Sequence, residues 1–282
     1  MKQEQKTWDT GSVILWAQEY FSRKQIPQPR LSAELLLAHA TGLSRTGLYT
    51  RWGEEVSAPS LSTFKEGLKQ LVAGIPLAHI TGHKNFMGWD FCVDQRVLIP
   101  RPETEELVEW VVQEYKGFSP VFFDLGTGSG VIAVCLARFF PGSQVLATDV
   151  SKPALEVARE NARRLGVEKQ VCFQEADFLD IPEEWLHQVD VVVCNPPYVA
   201  IDDACLCAQV RENEPHLALF GGEDGLAFFR RIRENAPRLQ GKTLFCEMGF
   251  DQKEALQTLF QEFSPTFQRD LFGNWRMVKI CV

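Results

Sequence analysis

The residues Asn195-Pro196-Pro197-Tyr198 follow a β-branched run, Val191-Val192-Val193-Cys194, and combine a side-chain carbonyl, two prolines and an aromatic ring. An amide or exocyclic amine nitrogen shares its lone pair with a π-system and attacks poorly. A site can activate it by accepting both of its N–H bonds. The Asn195 side-chain carbonyl and the Pro196 backbone carbonyl are suitable acceptors. They would aim the lone pair at an electrophilic carbon and favour the positive charge that grows on nitrogen in the transition state. The prolines stiffen the loop and withhold backbone donors, and Tyr198 can stack on a planar group. Asn195, Pro196 and Tyr198 are therefore the catalytic candidates, and Pro197 joins them in holding the substrate. The bland alternative is a proline-rich turn that ends a strand.

A second group lies upstream. Asp124-Leu125-Gly126-Thr127-Gly128-Ser129-Gly130 follows a strand and opens a helix. In an open α/β sheet such a loop sits at the carboxyl end of a strand, where ligands bind. Its glycines accept positive φ and let the backbone approach a ligand. A dinucleotide fingerprint needs a third glycine at 131, where this chain has Val131. The spacing instead suits a ligand without phosphates, such as S-adenosylmethionine, held by Gly126, Thr127, Gly128, Ser129 and Gly130. Asp149 closes the next strand, where a carboxylate can accept from both ribose hydroxyls; capping the next helix is its alternative, although Ser151 could do that equally. Asp177 and Phe178 follow the third strand, the expected place for adenine, with a turn and a core phenylalanine as the alternative. Asn195 adjoins this cofactor site as well.

These residues need a framework. With 282 residues and a 45% apolar share, the chain can build two domains around a sizeable core. No run of 18 apolar residues occurs, so no membrane span is expected. The polar stretch Met1–Lys6 leads into no apolar signal core, so a cytoplasmic location is expected. The eight cysteines show no Cys-x-x-Cys. The closest pair is Cys205-x-Cys207, and Cys135, Cys172, Cys194 and Cys246 sit in apolar runs. Reduced, buried thiols and no metal follow. The charge is uneven: residues 1–80 hold 9 Lys+Arg against 7 Asp+Glu, and residues 81–282 hold 20 against 30. A balance of −10 in the larger part is a poor grip on phosphate backbones, so no direct nucleic-acid substrate is expected.

Val13, Trp16, Ala17, Tyr20 and Phe21 have the spacing of one helix face. Leu31 to Ala40 and Leu61 to Val72 predict two more helices, the last stopped by Gly74 and Pro76. Residues 1–78 thus form a small helical bundle. Phe86 to Ile99, broken at Gly88 and Asp94, predicts a hairpin within residues 79–100. From residue 101 a helix through Leu107 and Val111 leads into alternating strands and helices: strands at Val121–Leu125, Gln144–Thr148, Val171–Gln174, Val189–Cys194 and Thr243–Glu247, and helices at Val131–Phe139, Ala154–Leu165, Leu226–Asn235 and Gln252–Phe263. This alternation predicts a parallel sheet covered on both faces. Two closing strands, Phe267–Leu271 and Trp275–Val282, predict a terminal hairpin with one antiparallel strand. The stretch from Val199 to Gly222 is long enough for a lid.

The whole pattern resembles the HemK/PrmC family, the N5-glutamine methyltransferases of peptide chain release factors. The resemblance rests on Ser32-Ala33-Glu34-Leu35-Leu36-Leu37-Ala38-His39 with Gly42 and Arg45, on Leu98-Ile99-Pro100-Arg101-Pro102-Glu103-Thr104-Glu105, on the glycine loop, Asp149 and Asn195–Tyr198, and on Glu214-Pro215, Ala218-Leu219, Gly221-Gly222, Asp224-Gly225-Leu226, Glu247-Met248-Gly249 and Gln252. Some members carry Trp where Phe178 aligns. The resemblance implies a class I, Rossmann-like methyltransferase with a seven-stranded mixed sheet over residues 101–282, joined by the hairpin to a helical N-terminal domain that docks the substrate. It implies S-adenosylmethionine as methyl donor, the glutamine of a release factor's Gly-Gly-Gln loop as acceptor, and a monomer modulating translation termination. The Asn-Pro-Pro-Tyr motif alone is also found in enzymes acting on base amino groups of RNA or DNA. A ribosomal-protein glutamine is a nearer alternative acceptor, and a non-catalytic cofactor-binding protein would not need the intact motif. No role for Arg101 follows from the sequence, and helix capping or a charged surface turn explains Glu103 and Glu105 equally well.

Overall fold

A computed structural model of the protein describes residues 8–178, 180–204 and 206–282. The Met1–Lys6 stretch and Cys205 lie outside the described residues. The chain divides into two compact units, with the boundary between Gly82 and His83.

The first unit is helical: α1 (Thr10–Arg23), α2 (Pro29–Thr41), α3 (Arg45–Thr50), α4 (Ala58–Val72) and α5 (Leu77–Thr81). Local chemistry sets its ends. Asp9 accepts the Ser12 N–H at 2.8 Å to start α1, Ser44 and Ser57 cap α3 and α4 in the same way, and Gly42 closes α2 at φ 71°. The apolar faces of α1, α2 and α4 meet through Val13, Ala17, Phe21, Leu36, Leu37, Phe64 and Leu68. Glu34 is the polar exception. It is buried and accepts from Arg30, Arg45 and Tyr49, so Glu34 and Arg45, both in the family-like pattern, are one ion pair.

The second unit opens with a hairpin, β1 (His83–Phe86) and β2 (Trp89–Cys92), followed by α6 (Pro102–Glu114). The main run is β3 (Phe122–Leu125), α7 (Val131–Phe139), β4 (Val145–Asp149), α8 (Lys152–Arg164), β5 (Val171–Glu175), α9 (Glu183–Gln188), β6 (Val191–Cys194), α10 (Ala208–Asn213), α11 (His216–Leu219), α12 (Ala227–Glu234), β7 (Thr243–Glu247), α13 (Lys253–Leu259), β8 (Thr266–Arg269) and β9 (Trp275–Cys281). The seven strands after the hairpin form one sheet in the order β5-β4-β3-β6-β7-β9-β8. Only β9 runs antiparallel, paired to both β7 and β8, as the closing strands predict. Alternate residues serve opposite faces. Phe122, Val191, Val193 and Phe245 pack with α6 and α7, while Phe123, Val192, Leu244, Cys246 and Val278 pack with α12 and α13.

The hairpin is shorter than its predicted span. Residues 77–81 are helical, so the turn of α5 crosses the predicted boundary at 78/79, and residues 93–101 form no strand. Val97 and Ile99 are buried as parts of an irregular segment: they are strand-type residues selected for burial, not for pairing. The hairpin is tied into the second unit, since Asn161 of α8 exchanges hydrogen bonds with the backbone of Cys92 and Glu105 accepts the Met87 N–H. The predicted helix Gln252–Phe263 is α13 followed by a 3-10 turn, Gln261–Phe263.

Candidate active site

The chain runs outward from β3 through β4 to β5, then crosses back to place β6 on the other side of β3. The carboxyl ends of β3 and β6 are therefore neighbours, with Asp124 opposite Val193. Such a switch in strand order opens a crevice above the sheet. Here it forms a cavity of about 380 Å³ whose wall includes Gly126–Ser129, Asp149, Asp177, Phe178 and Asn195–Pro197. The volume suits a small organic ligand.

The glycine loop leaves β3 in left-handed turns: φ is 79° at Gly126, 53° at Gly128 and 82° at Gly130. A Cβ at Gly126 or Gly128 would meet open space, and both residues line the cavity. Gly130 does not line it. It starts α7 with its back against Ala158, whose Cα stands 3.1 Å from where a Cβ would be, so its place is in packing. Asp124 braces the loop from below. Its Oδ2 accepts the Thr127 hydroxyl at 2.6 Å and the Ala133 N–H at 3.0 Å, and complete burial pushes its carboxyl up to about 7.

Asp149 Oδ2 accepts the Gly128 N–H and Oδ1 accepts the Ser151 N–H, both at 2.8 Å. Burial raises this carboxyl against those two bonds. Helix α8 is capped by Ser151 rather than by Asp149. Asp177 is exposed and paired with Arg231 at 3.1 Å. Phe178 is buried, with Arg231 4.4 Å from its ring centroid and Phe228 edge-on at 5.2 Å. Its φ of 53° is a strained setting for a bulky residue.

Asn195 leads the loop after β6. Its Nδ2 donates to Thr104 Oγ1 at 3.0 Å, Thr104 donates to Glu247 Oε2 at 2.6 Å, and Tyr198 donates to Glu247 Oε1 at 2.8 Å. Tyr198, expected to stack on the substrate, does not line the cavity, and its partly buried ring packs against the core cluster on the α12 side. Burial, with the Glu247 carboxylate beside it, raises the phenol well above its ordinary value, so it stays a proton donor. The backbone after it is clamped. Gln252 donates to the Tyr198 carbonyl at 3.0 Å, the Val199 N–H donates to the Leu219 carbonyl and the Gly221 N–H to the Val199 carbonyl, and a Cβ at Gly225 would strike the Tyr198 carbonyl at 2.1 Å. The stretch proposed as a lid carries α10 and α11 and is anchored at this end.

Three partners escaped the sequence reading. Thr104 and Glu247 lie within family-like motifs, but nothing in their spacing ties them to Asn195. Glu214 is buried and accepts from the Ile99 N–H at 3.0 Å and from Arg101 at 2.6 Å, which gives Arg101 a role. Glu105 holds the hairpin turn, and Glu103 sits in the first turn of α6, where a negative charge is favourable. Among the described residues no cluster could hold a metal ion, no helix is long and apolar enough to cross a membrane, and seven cysteines are free.

The wall fits the phosphate-free ligand that the loop spacing implies. Its guanidinium groups are already paired, Arg96 with Asp94, Arg101 with Glu214 and Arg231 with Asp177. Thr148, also on the wall, keeps a buried hydroxyl that has no protein partner.

Residues 12–82 match the family described as PrmC N-terminal domain, and residues 120–242 match a methyltransferase domain family. The release factor glutamine methyltransferase of Bacillus anthracis is 40% identical over 277 residues, which cover 94% of this chain and 96% of that protein. Its counterpart from Chlorobaculum tepidum is 38% identical over 267 residues, 91% of this chain and 90% of that one. Among solved structures, the hMettl16 catalytic domain in complex with MAT2A 3′UTR hairpin 1 aligns with a TM-score of 0.56 at 15% identity, over 94% of this chain and 91% of that chain. At that identity the likeness is one of fold alone.

Proposed function

Because the chain belongs to the family of release factor glutamine methyltransferases, and its second unit has the class I, Rossmann-like methyltransferase fold, we propose that it methylates the side-chain amide of the glutamine in the Gly-Gly-Gln loop of peptide chain release factors. The observation that carries this reading is the placement of Asn195–Pro197 at the end of β6, directly beside the glycine loop at the end of β3. A donor held by one loop and a nitrogen held by the other meet above adjacent strands.

S-adenosylmethionine, when bound, supplies a methyl group on a cationic sulfur. Gly126, Thr127, Gly128 and Ser129 hold it by close backbone approach, Asp149 takes the ribose, and Asp177 and Phe178 flank the adenine. Gly130 contributes by keeping the turn tight. Asn195 Oδ1 and the Pro196 carbonyl accept the two N–H bonds of the substrate amide, orient its lone pair and stabilise the charge that develops on nitrogen. Pro197 keeps the loop rigid, and Tyr198 steadies it from behind through Glu247. No base has to act before transfer; the proton leaves afterward. The helical first unit docks the release factor. The enzyme works as a monomer in the cytoplasm.

The test is transfer of labelled methyl from S-adenosylmethionine to purified release factor, compared with a factor whose loop glutamine is replaced. Label should appear only in the first. Labelling of the altered factor, of a ribosomal protein in its place, or of RNA alone would overturn the reading.

A further inference from the structure

Thr104 reaches the cavity wall and Glu247 does not, yet both are buried, at 2% and 0% exposure, and both belong to the hydrogen-bond chain that ends on Asn195. They come from distant parts of the sequence. Thr104 is in the first turn of α6, and Glu247 ends β7. Strands β6 and β7 pair Cys194 with Cys246, so Asn195 and Glu247 are each the next residue along neighbouring strands.

Counting protons fixes the direction of this chain. A threonine hydroxyl has one hydrogen, and an ionised carboxylate only accepts. The Thr104 hydrogen therefore points to Glu247 Oε2, at 2.6 Å, and Thr104 can meet Asn195 only as an acceptor. Asn195 must then turn its NH2 toward Thr104, which leaves Oδ1 on the opposite edge of the planar amide. The two ends of an amide are nearly equal in size, so packing alone would not choose between them.

We infer that Thr104 and Glu247 are positioning residues that make Asn195 present an acceptor, and not a donor, to the substrate nitrogen. This rests on the proposed role of Asn195 as the acceptor for a substrate amide. A flipped Asn195 would set N–H against N–H and forfeit an interaction that strengthens as charge grows on nitrogen. Burial raises the Glu247 carboxyl, opposed by the bonds from Thr104 and Tyr198 and by the Arg276 charge; the geometry holds it as an acceptor on both sides, with Thr104 on Oε2 and the Tyr198 hydroxyl on Oε1.

The polarity can be reversed by a change of one atom. In Glu247→Gln, the Tyr198 hydrogen still needs an acceptor, so Gln takes it with Oε1 and turns Nε2 toward Thr104. Thr104 then accepts from position 247 and donates to Asn195, whose amide flips. Adding Tyr198→Phe removes the demand on Oε1 and frees Gln to turn that oxygen to Thr104, which restores the original direction.

The experiment measures kcat and KM for methyl transfer to release factor, calorimetric affinity for S-adenosylmethionine and thermal stability, in wild type, Thr104→Val, Thr104→Ser, Glu247→Gln and Tyr198→Phe/Glu247→Gln. Thr104→Val and Glu247→Gln should lower kcat by on the order of 10²-fold, as loss of one preorganised transition-state contact does, with cofactor affinity held within about twofold, because neither residue is hydrogen-bonded to the segments assigned to the cofactor, Gly126–Ser129, Asp149, Asp177 and Phe178. Thr104→Ser should recover most of the rate, and the double variant should be faster than Glu247→Gln alone. A wild-type kcat in Thr104→Val, a loss of cofactor affinity matching the loss of rate, or a double variant no faster than Glu247→Gln would overturn the inference. Should Glu247→Gln fail to fold, the Thr104→Val and Thr104→Ser pair decides it. Absence of transfer by wild type would instead sink the substrate assignment.

Discussion

Asp149, at the end of β4, accepts the backbone N–H of Gly128, in the loop after β3, at 2.8 Å. The carboxylate assigned to the ribose thus also braces the neighbouring glycine loop. Replacement of Asp149 by Ala removes a charge-assisted bond inside the protein and the acceptor for the ribose. At about 1.5–3 kcal/mol for each such bond, affinity for S-adenosylmethionine should fall by about 10- to 100-fold. Titration calorimetry reads this directly, and an unchanged affinity would contradict the assignment.

Two glycines in that loop should respond differently to alanine. At Gly130, φ is 82° and a Cβ would come within 3.1 Å of the Ala158 backbone. Gly130→Ala should cost about 2 kcal/mol or more in stability, since a left-handed setting alone costs about 1–2 kcal/mol. At Gly126, φ is 79° with nothing within 4 Å, so Gly126→Ala should cost only about 1 kcal/mol but place a methyl group on the cavity wall. Thermal melts and cofactor titrations should rank the two variants in opposite orders. The same order in both assays would show that the loop acts as one packed unit.

How far the sequence reaches depends on whether a role is local. The helix face Val13, Ala17, Phe21 was legible because one-sided burial imposes a period, and the all-buried strands β3 and β6 because two-sided burial gives short, nearly continuous apolar runs. Helices α3, α5, α9, α10 and α11 have four to six residues, too few turns to display one. Asn195 and Asp149 stood out because a polar residue ending an apolar strand is itself a local signal. Thr104 and Glu247 are 143 positions apart and acquire meaning only when β7 lies beside β6. The setting of Tyr198 was hidden for the same reason: an aromatic next to a proline loop can face the ligand or the core, and its bond to Glu247 involves a residue 49 positions away.

Asp124 gives the second unit a pH-dependent stability. Its carboxyl is raised from 3.8 to about 7, mainly by burial, with a smaller contribution from Asp149. A raised carboxyl binds its proton more tightly in the folded state, so its contribution is complete below pH 4 and lost as pH climbs to about 7. Asp124→Asn cannot lose that contribution. The unfolding free energy of the variant minus that of wild type should grow from pH 4 to 7 and level off above, by at most about 4 kcal/mol at 1.36 kcal/mol per pH unit. Urea titrations at four pH values test this; a difference independent of pH would refute the buried-acid account.

Glu214 and Arg101 should be unequal partners. They pair at 2.6 Å, but the Glu214 side chain is 2% exposed and that of Arg101 30%. Removing Glu214 leaves a guanidinium that can still reach water, plus the Ile99 N–H without its acceptor, and should cost about 1–2 kcal/mol. Removing Arg101 leaves a buried carboxylate with the Ile99 N–H as its remaining bond, and stranding a buried charge costs about 3–5 kcal/mol when solvent is fully excluded. The partial exposure of Arg101 screens the pair and lowers that to about 2–4 kcal/mol. Arg101→Ala should therefore be the more damaging single change. The double variant should be more stable than Arg101→Ala, because it removes the stranded charge along with its partner. Chemical denaturation of the three variants measures both inequalities. A costlier Glu214→Ala, or strict additivity, would mean that the pair contributes through packing of the Leu98–Arg101 segment and not through its charges.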